Sequence, residues 1–147
     1  MAEEATEHIT VSATPERCFA VAVDVEAYPR WAADIKTVSV HERDEEGRPL
    51  LASFRAAAFG RTTSYTLSYE YLAPPGGLSW RLTKGDITTR LDGRYKFVAL
   101  GDGRTEVTYH LEVELRVPIP GFIKMRAQSR IMSTALRELK ERVESLR

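Results

Sequence analysis

A hydroxyl and a cation two residues apart, Ser53 and Arg55, interrupt the small apolar run Leu50-Leu51-Ala52-Ser53-Phe54-Arg55-Ala56-Ala57-Ala58. In a strand, alternate side chains face opposite sides, so the phase of this run decides what the pair can do. With Ala52, Phe54, Ala56 and Ala58 inward, Ser53 and Arg55 belong to a solvated face. With Leu51, Ser53 and Arg55 inward, a fixed guanidinium among small side chains could polarise a carbonyl or hold an enolate or carboxylate. Both phases remain open from the sequence.

A second set of residues is aromatic. Tyr65, Tyr69, Trp80, Tyr95, Phe97 and Tyr109 fall on the apolar phase of successive alternating runs, in step with Leu67 and Leu91. Rings in those places pack a core. Several tyrosine hydroxyls on one dry face also need partners, which points to a pocket with apolar walls and a few polar points. Trp31, with Tyr28 and Pro29, and Phe122 with Ile123 are candidates for a gate or a staple at its mouth. Met125, Gln128, Ser129, Met132 and Leu136 are candidates for its floor.

Other chemistries find little support. His8, His41 and His110 stand in polar surroundings without metal-ligand spacing, and His110 alternates outward beside Glu112. Cys18 is the single cysteine, next to Phe19, and reads as a small buried side chain in a protein without disulfides. No glycine loop of the phosphate-cradling kind occurs, so neither a cofactor nor a metal is expected.

The elements that must position these residues follow from punctuation and period. Turn signals at Glu46-Gly47-Arg48, Phe59-Gly60-Arg61, Pro74-Pro75-Gly76-Gly77, Lys84-Gly85-Asp86 and Gly101-Asp102-Gly103 are spaced as hairpin turns are, and such short links force antiparallel neighbours. Between them the period is two, clearest in Val107, Tyr109, Leu111, Val113 and Leu115 against Thr108, His110, Glu112, Glu114 and Arg116. Ahead of these runs, Glu7–Ser12 reads as a strand, Thr14-Pro15-Glu16 as a helix start leading to Val23, and Asp24–Asp34 as a second short helix or turn. After Pro118-Ile119-Pro120-Gly121, a long amphipathic helix is marked by Met125, Gln128, Met132, Ala135, Leu136, Leu139, Val143 and Leu146. Strand, two short helices, six antiparallel strands and a terminal helix make an α+β architecture. Gly93 can permit a bend in the sheet.

With 147 residues the chain is expected to form one domain over 1–147. Its 21 Lys and Arg balance 21 Asp and Glu, which leaves no electrostatic footprint for bulk nucleic-acid binding. The first ten residues are acidic and polar, unlike a signal peptide, and no apolar run suffices for a membrane span, so a cytoplasmic location is expected.

The element order, with ATPERCFAVAVDVEAYPRWAADIKTVSV at 13–40 and PIPGFIKMRAQSRIMSTALRELKERVE at the end, resembles the START-like (SRPBCC) superfamily. Within it the chain is most similar to the bacterial polyketide cyclase/dehydrase and coenzyme Q-binding branch. The resemblance spans nearly the whole chain, and its most specific part is the small residue, Pro-Glu, Phe, Asp and Tyr-Pro-Arg-Trp series. It implies a helix-grip fold: a curved antiparallel sheet of about seven strands wrapped around a long C-terminal helix, with a deep apolar cavity between them. Related members bind lipids, quinones, polyketides or plant hormones, and some cyclise aromatic polyketides. The Ser-x-Arg spacing is similar to cavity residues of the aromatase/cyclases, in which the arginine polarises a substrate carbonyl.

The leading expectation is a protein that binds a hydrophobic or aromatic small molecule, as a monomer or homodimer. A polyketide aromatase/cyclase or dehydratase is the alternative, with Arg55 as anchor and Tyr65, Tyr69 or Tyr109 as proton donor. A protein-interaction module using the outer sheet face or the basic helix around Lys124, Arg126 and Arg130 is the third.

Overall fold

The computed structural model describes residues 3–146. In chain order come β1 (Glu3–Val11), α1 (Pro15–Val23), a 3-10 turn (Val25–Ala27), α2 (Tyr28–Trp31), β2 (Ile35–Arg43), β3 (Pro49–Ala58), β4 (Arg61–Tyr71), β5 (Gly77–Gly85), β6 (Thr88–Ala99), β7 (Thr105–Leu115) and α3 (Gly121–Ser145). All seven strands form one antiparallel sheet in the order β1-β7-β6-β5-β4-β3-β2. This is the helix-grip arrangement expected from the sequence.

The strand from Glu7 begins four residues earlier than its sequence suggests, at Glu3. Glutamate and alanine have little strand preference of their own. Pairing supplies it: β1 zips along β7 from Glu3↔Val113 to Val11↔Thr105, which commits Glu4, Thr6 and His8 to the outer face.

The β3–β4 link is a two-residue hairpin across Ala58↔Arg61, with φ of 54° at Phe59 and 75° at Gly60. Two positive φ angles suit the right-handed twist of the flanking strands. Glycine takes that conformation freely, while for Phe59 it costs about 1–2 kcal/mol. Register shifts interrupt the β2–β3, β4–β5 and β6–β7 ladders. Such bulges bend the sheet and steepen its twist, so that it curls over α3.

Along one face of α3 the interior is filled. Thr14 Oγ1 accepts a hydrogen bond from Arg17 N at 3.3 Å and Pro15 opens α1 without an orphan N–H. That helix buries Cys18 and Ala22 against α3, which presents Met132, Leu136, Leu139 and Val143. Gln128 Nε2 donates to Leu111 O at 3.0 Å and ties α3 to β7. The buried stripe of α3 begins at Lys124, whose stem is covered, and misses Met125 and Leu146, which are 58% and 46% exposed. A lysine stem can lie along apolar surface while its ammonium reaches water.

Candidate functional site

Along the adjacent face of α3, at Ile131, Thr134, Ala135 and Glu138, sheet and helix part to leave a cavity of about 170 Å³. Its buried walls are apolar and aromatic. β4 supplies Leu67 and Tyr69, β5 Trp80, β6 Tyr95, and β7 Tyr109, Leu111 and Val113. Tyr65 and Leu91 extend these walls with part of their surface open. The half-buried or exposed Trp31, Asp34, Phe59, Ile131, Thr134 and Glu138 rim the mouth.

Cross-strand register explains why the rings meet. Tyr69 lies opposite Trp80, Trp80 opposite Gly93, and Tyr95 opposite Tyr109. The resulting centroid separations are 6.2 Å for Tyr69–Trp80, 5.5 Å for Trp80–Tyr95, 5.9 Å for Trp80–Tyr109 and 4.7 Å for Tyr95–Tyr109. On the other wall Phe54 and Tyr65 stack at 5.4 Å with 17° between ring planes. Gly93 lets the indole approach its backbone: a Cβ there would stand 2.5 Å from Trp80 Cζ2. Close ring approach, rather than a bend alone, is therefore what this glycine provides.

The polar points inside are hydroxyls. Among the described residues, Tyr65, Tyr69, Tyr95 and Tyr109 make no hydrogen bond through their hydroxyls, unlike Tyr28, which donates to Ala22 O, and Tyr71, which donates to Pro49 O. Burial pushes all four phenols above the ordinary tyrosine value, with neighbouring tyrosines adding to the effect at Tyr69, Tyr95 and Tyr109. They stay protonated at neutral pH and act as hydrogen-bond donors. Thr88 Oγ1 is buried without a partner among the described residues, and Thr63 Oγ1 donates to Asp86 Oδ1 at 2.6 Å. At the mouth Glu138 Oε2 accepts from Ala33 N at 3.1 Å and straps α3 to the α2–β2 turn.

Of the residues singled out in the sequence, Trp31, Tyr65, Leu67, Tyr69, Trp80, Leu91, Tyr95 and Tyr109 meet around this space. Ser53 and Arg55 do not. β3 adopts the other phase: Ala52, Phe54 and Ala56 are buried, Arg55 is exposed, and Ser53 sits in an outer network with His41 Nε2 and Thr66 Oγ1, each 2.7 Å away. The placement is settled by Phe54↔Tyr65, a pairing that the alanines on either side could not announce.

Phe97 packs edge-on against Phe19 at 6.5 Å, towards α1, and Met132 is wholly buried on the filled face of α3. Phe122 and Met125 are 68% and 58% exposed and lie off the cavity. The helix offers Ile131, Thr134, Ala135 and Glu138 instead. Of these, sequence periodicity marked only Ala135, because a helix side turned to an empty space carries no continuous apolar stripe. Phe59, Thr63 and Thr88 were also missed, with the Phe59-Gly60 turn the available signal for the first, while Phe54 lines the cavity through the phase of β3 that turns it inward.

Cys18 is fully enclosed, and burial raises its thiol against a smaller opposing effect of Thr105. On the outer face, Glu4, His110 and Glu112 bring ligand-type atoms within 4.8 Å of one another, a grouping hidden in the sequence because β1 and β7 lie far apart in the chain. Arg90 Nη1 stands 3.3 Å from Glu112 Oε2 and supplies positive charge there. Among the described residues no helix is long and apolar enough to cross a membrane.

Residues 2–144 match the family model described as polyketide cyclase / dehydrase and lipid transport. A START superfamily protein from Mycobacterium smegmatis is similar in structure over 98% of this chain and 99% of its own, with a TM-score of 0.91 and 26% identity. The Zhui aromatase/cyclase from Streptomyces sp. R1128 aligns over 98% of this chain and 94% of its own at 14% identity and a TM-score of 0.85. TTHA0849 from Thermus thermophilus aligns over 97% of this chain and 98% of its own at 23% identity and a TM-score of 0.81. A search of curated protein sequences finds no match.

Proposed function

The chain belongs to the polyketide cyclase / dehydrase and lipid transport family, and on that footing we propose that it binds one hydrophobic or aromatic small molecule in the cavity between sheet and α3. The quinone-like, polyketide-like and lipid classes are the candidates. The observation that carries this reading is a cavity with apolar and aromatic walls that include four tyrosines whose hydroxyls make no hydrogen bond among the described residues. A ligand with acceptor oxygens could take hydrogen bonds from these hydroxyls.

Binding is favoured over turnover by what the walls lack. Arg55 points away and the histidines lie elsewhere, so among the described residues no cation lines the cavity to polarise a substrate carbonyl. Native mass spectrometry of freshly isolated protein, followed by extraction of any bound compound, tests the reading. An apolar compound held in stoichiometric amount, and lost from an Ala135→Phe variant that remains folded, is the expected result. Retention undiminished in that variant would overturn the assignment of the cavity.

A further inference from the structure

Charge is distributed unevenly around the cavity. Among the described residues, no lysine, arginine or histidine lines it, and the two charged groups that do are the carboxylates Asp34 and Glu138 at the mouth. The wall strands do carry cations on their opposite phase: Arg55 on β3, Arg81 on β5 and Arg94 on β6 are all exposed. Each is separated from the cavity by the thickness of the sheet.

The interior offers donors without positive charge. Tyr65, Tyr69, Tyr95 and Tyr109 can each give a hydrogen bond to a carbonyl or hydroxyl oxygen. A carboxylate moving to the same place would lose its hydration, find no cation, and pass two fixed carboxylates on the way. Burying an ion unpaired is far more costly than burying a neutral oxygen that is hydrogen-bonded. Shape restricts the occupant further. The space of about 170 Å³ lies below the roughly 300–1,000 Å³ of sites for drug-sized ligands. Phe54 and Tyr65, whose rings stack on each other, both line it.

We propose that the cavity admits compact, uncharged molecules bearing carbonyl or hydroxyl oxygens and rejects the same skeletons once they carry a carboxylate. This rests on the cavity being the ligand site and names the class that the site takes. Free fatty acids and aromatic acids are excluded as carboxylates. Neutral aromatic ketones, quinones and phenols are admitted.

A matched pair isolates the charge. 2-Acetylnaphthalene and 2-naphthoate share ring system and size and differ in a methyl ketone against a carboxylate. Isothermal titration of the intact protein at pH 7 is expected to show the ketone bound and the carboxylate at least tenfold weaker. Glu138→Gln should strengthen 2-naphthoate binding relative to the ketone, and a cation placed at the rim by Thr134→Arg should narrow the gap further. Circular dichroism confirms that each variant is folded. If the two compounds bind within threefold of each other, charge exclusion is overturned while the cavity remains a ligand site. If neither binds, and Nile red also fails to bind, the ligand-binding reading falls and this inference with it.

Discussion

Trp80 is the residue on which the cavity wall depends, and its position depends on a residue with no side chain. The indole lies across the backbone of Gly93, where an added Cβ would meet Cζ2 at 2.5 Å, Cε2 at 2.7 Å and His110 O at 2.9 Å. The carbonyl cannot retreat without disturbing the β6–β7 ladder, so the indole must move. Gly93→Ala should therefore destabilise the fold by about 1–3 kcal/mol and shift the tryptophan emission, as read from urea melts and fluorescence spectra. An unchanged spectrum at unchanged stability would contradict the contact. Tyr109 behaves oppositely. Its hydroxyl has no partner among the described residues, so Tyr109→Phe should alter the stability of the free protein by less than about 1 kcal/mol. If the hydroxyl completes a ligand, the same change should weaken 2-acetylnaphthalene binding by up to about tenfold, the worth of one hydrogen bond. Equal affinity in the phenylalanine variants of all four cavity tyrosines would show that their hydroxyls do not touch ligand.

Between elements, the mouth is held by few bonds. α2 is only Tyr28–Trp31, and the turn after it is tied to α3 by Ala33 N donating to Glu138 Oε2 and to β3 by Ala57 N donating to Asp34 O at 2.8 Å. Tyr28 adds an anchor through its bond to Ala22 O and an edge contact with Trp31 at 5.0 Å. A segment secured by isolated contacts opens more readily than a strand inside a ladder. Glu138→Ala should speed amide hydrogen exchange around Ala33 and Ile35 and raise the ligand dissociation rate, with little effect on exchange in β6 and β7. Mass-spectrometric hydrogen exchange with stopped-flow release checks both, and an unaltered release rate would show that this strap does not control the mouth.

The whole molecule should respond to acid through Asp86, which joins the β5–β6 turn to β4. Burial pushes its carboxyl up, yet hydrogen bonds from Thr63 Oγ1, Ser64 N and Ile87 N outweigh this and hold it below the ordinary carboxylate value. A lowered folded-state value contributes stability above the unfolded value of about 3.9, and that contribution is lost as pH falls through the folded value. Asp86→Asn should thus melt at a lower temperature than the parent at pH 7, with the difference shrinking below about pH 4. A gap independent of pH would assign the loss to the shape of the side chain. Much of the architecture was legible before folding. Each hairpin turn, the alternation of β4 to β7 and the amphipathic α3 are local patterns, because burial on one face imposes a period that survives in sequence. The aromatic wall was legible for the same reason, Tyr69, Trp80, Tyr95 and Tyr109 all lying on dry phases. Three matters were decided by tertiary structure. β3 has small residues on both phases, so only its pairing with Tyr65 and Leu67 turned Ser53 and Arg55 to solvent. The close approach of Trp80 to Gly93 exists only once β5 and β6 are paired. On the helix face over the cavity only Ala135 belongs to the apolar stripe; Ile131, Thr134 and Glu138 escaped notice because sequence periodicity records what a residue packs against, and these residues border a space.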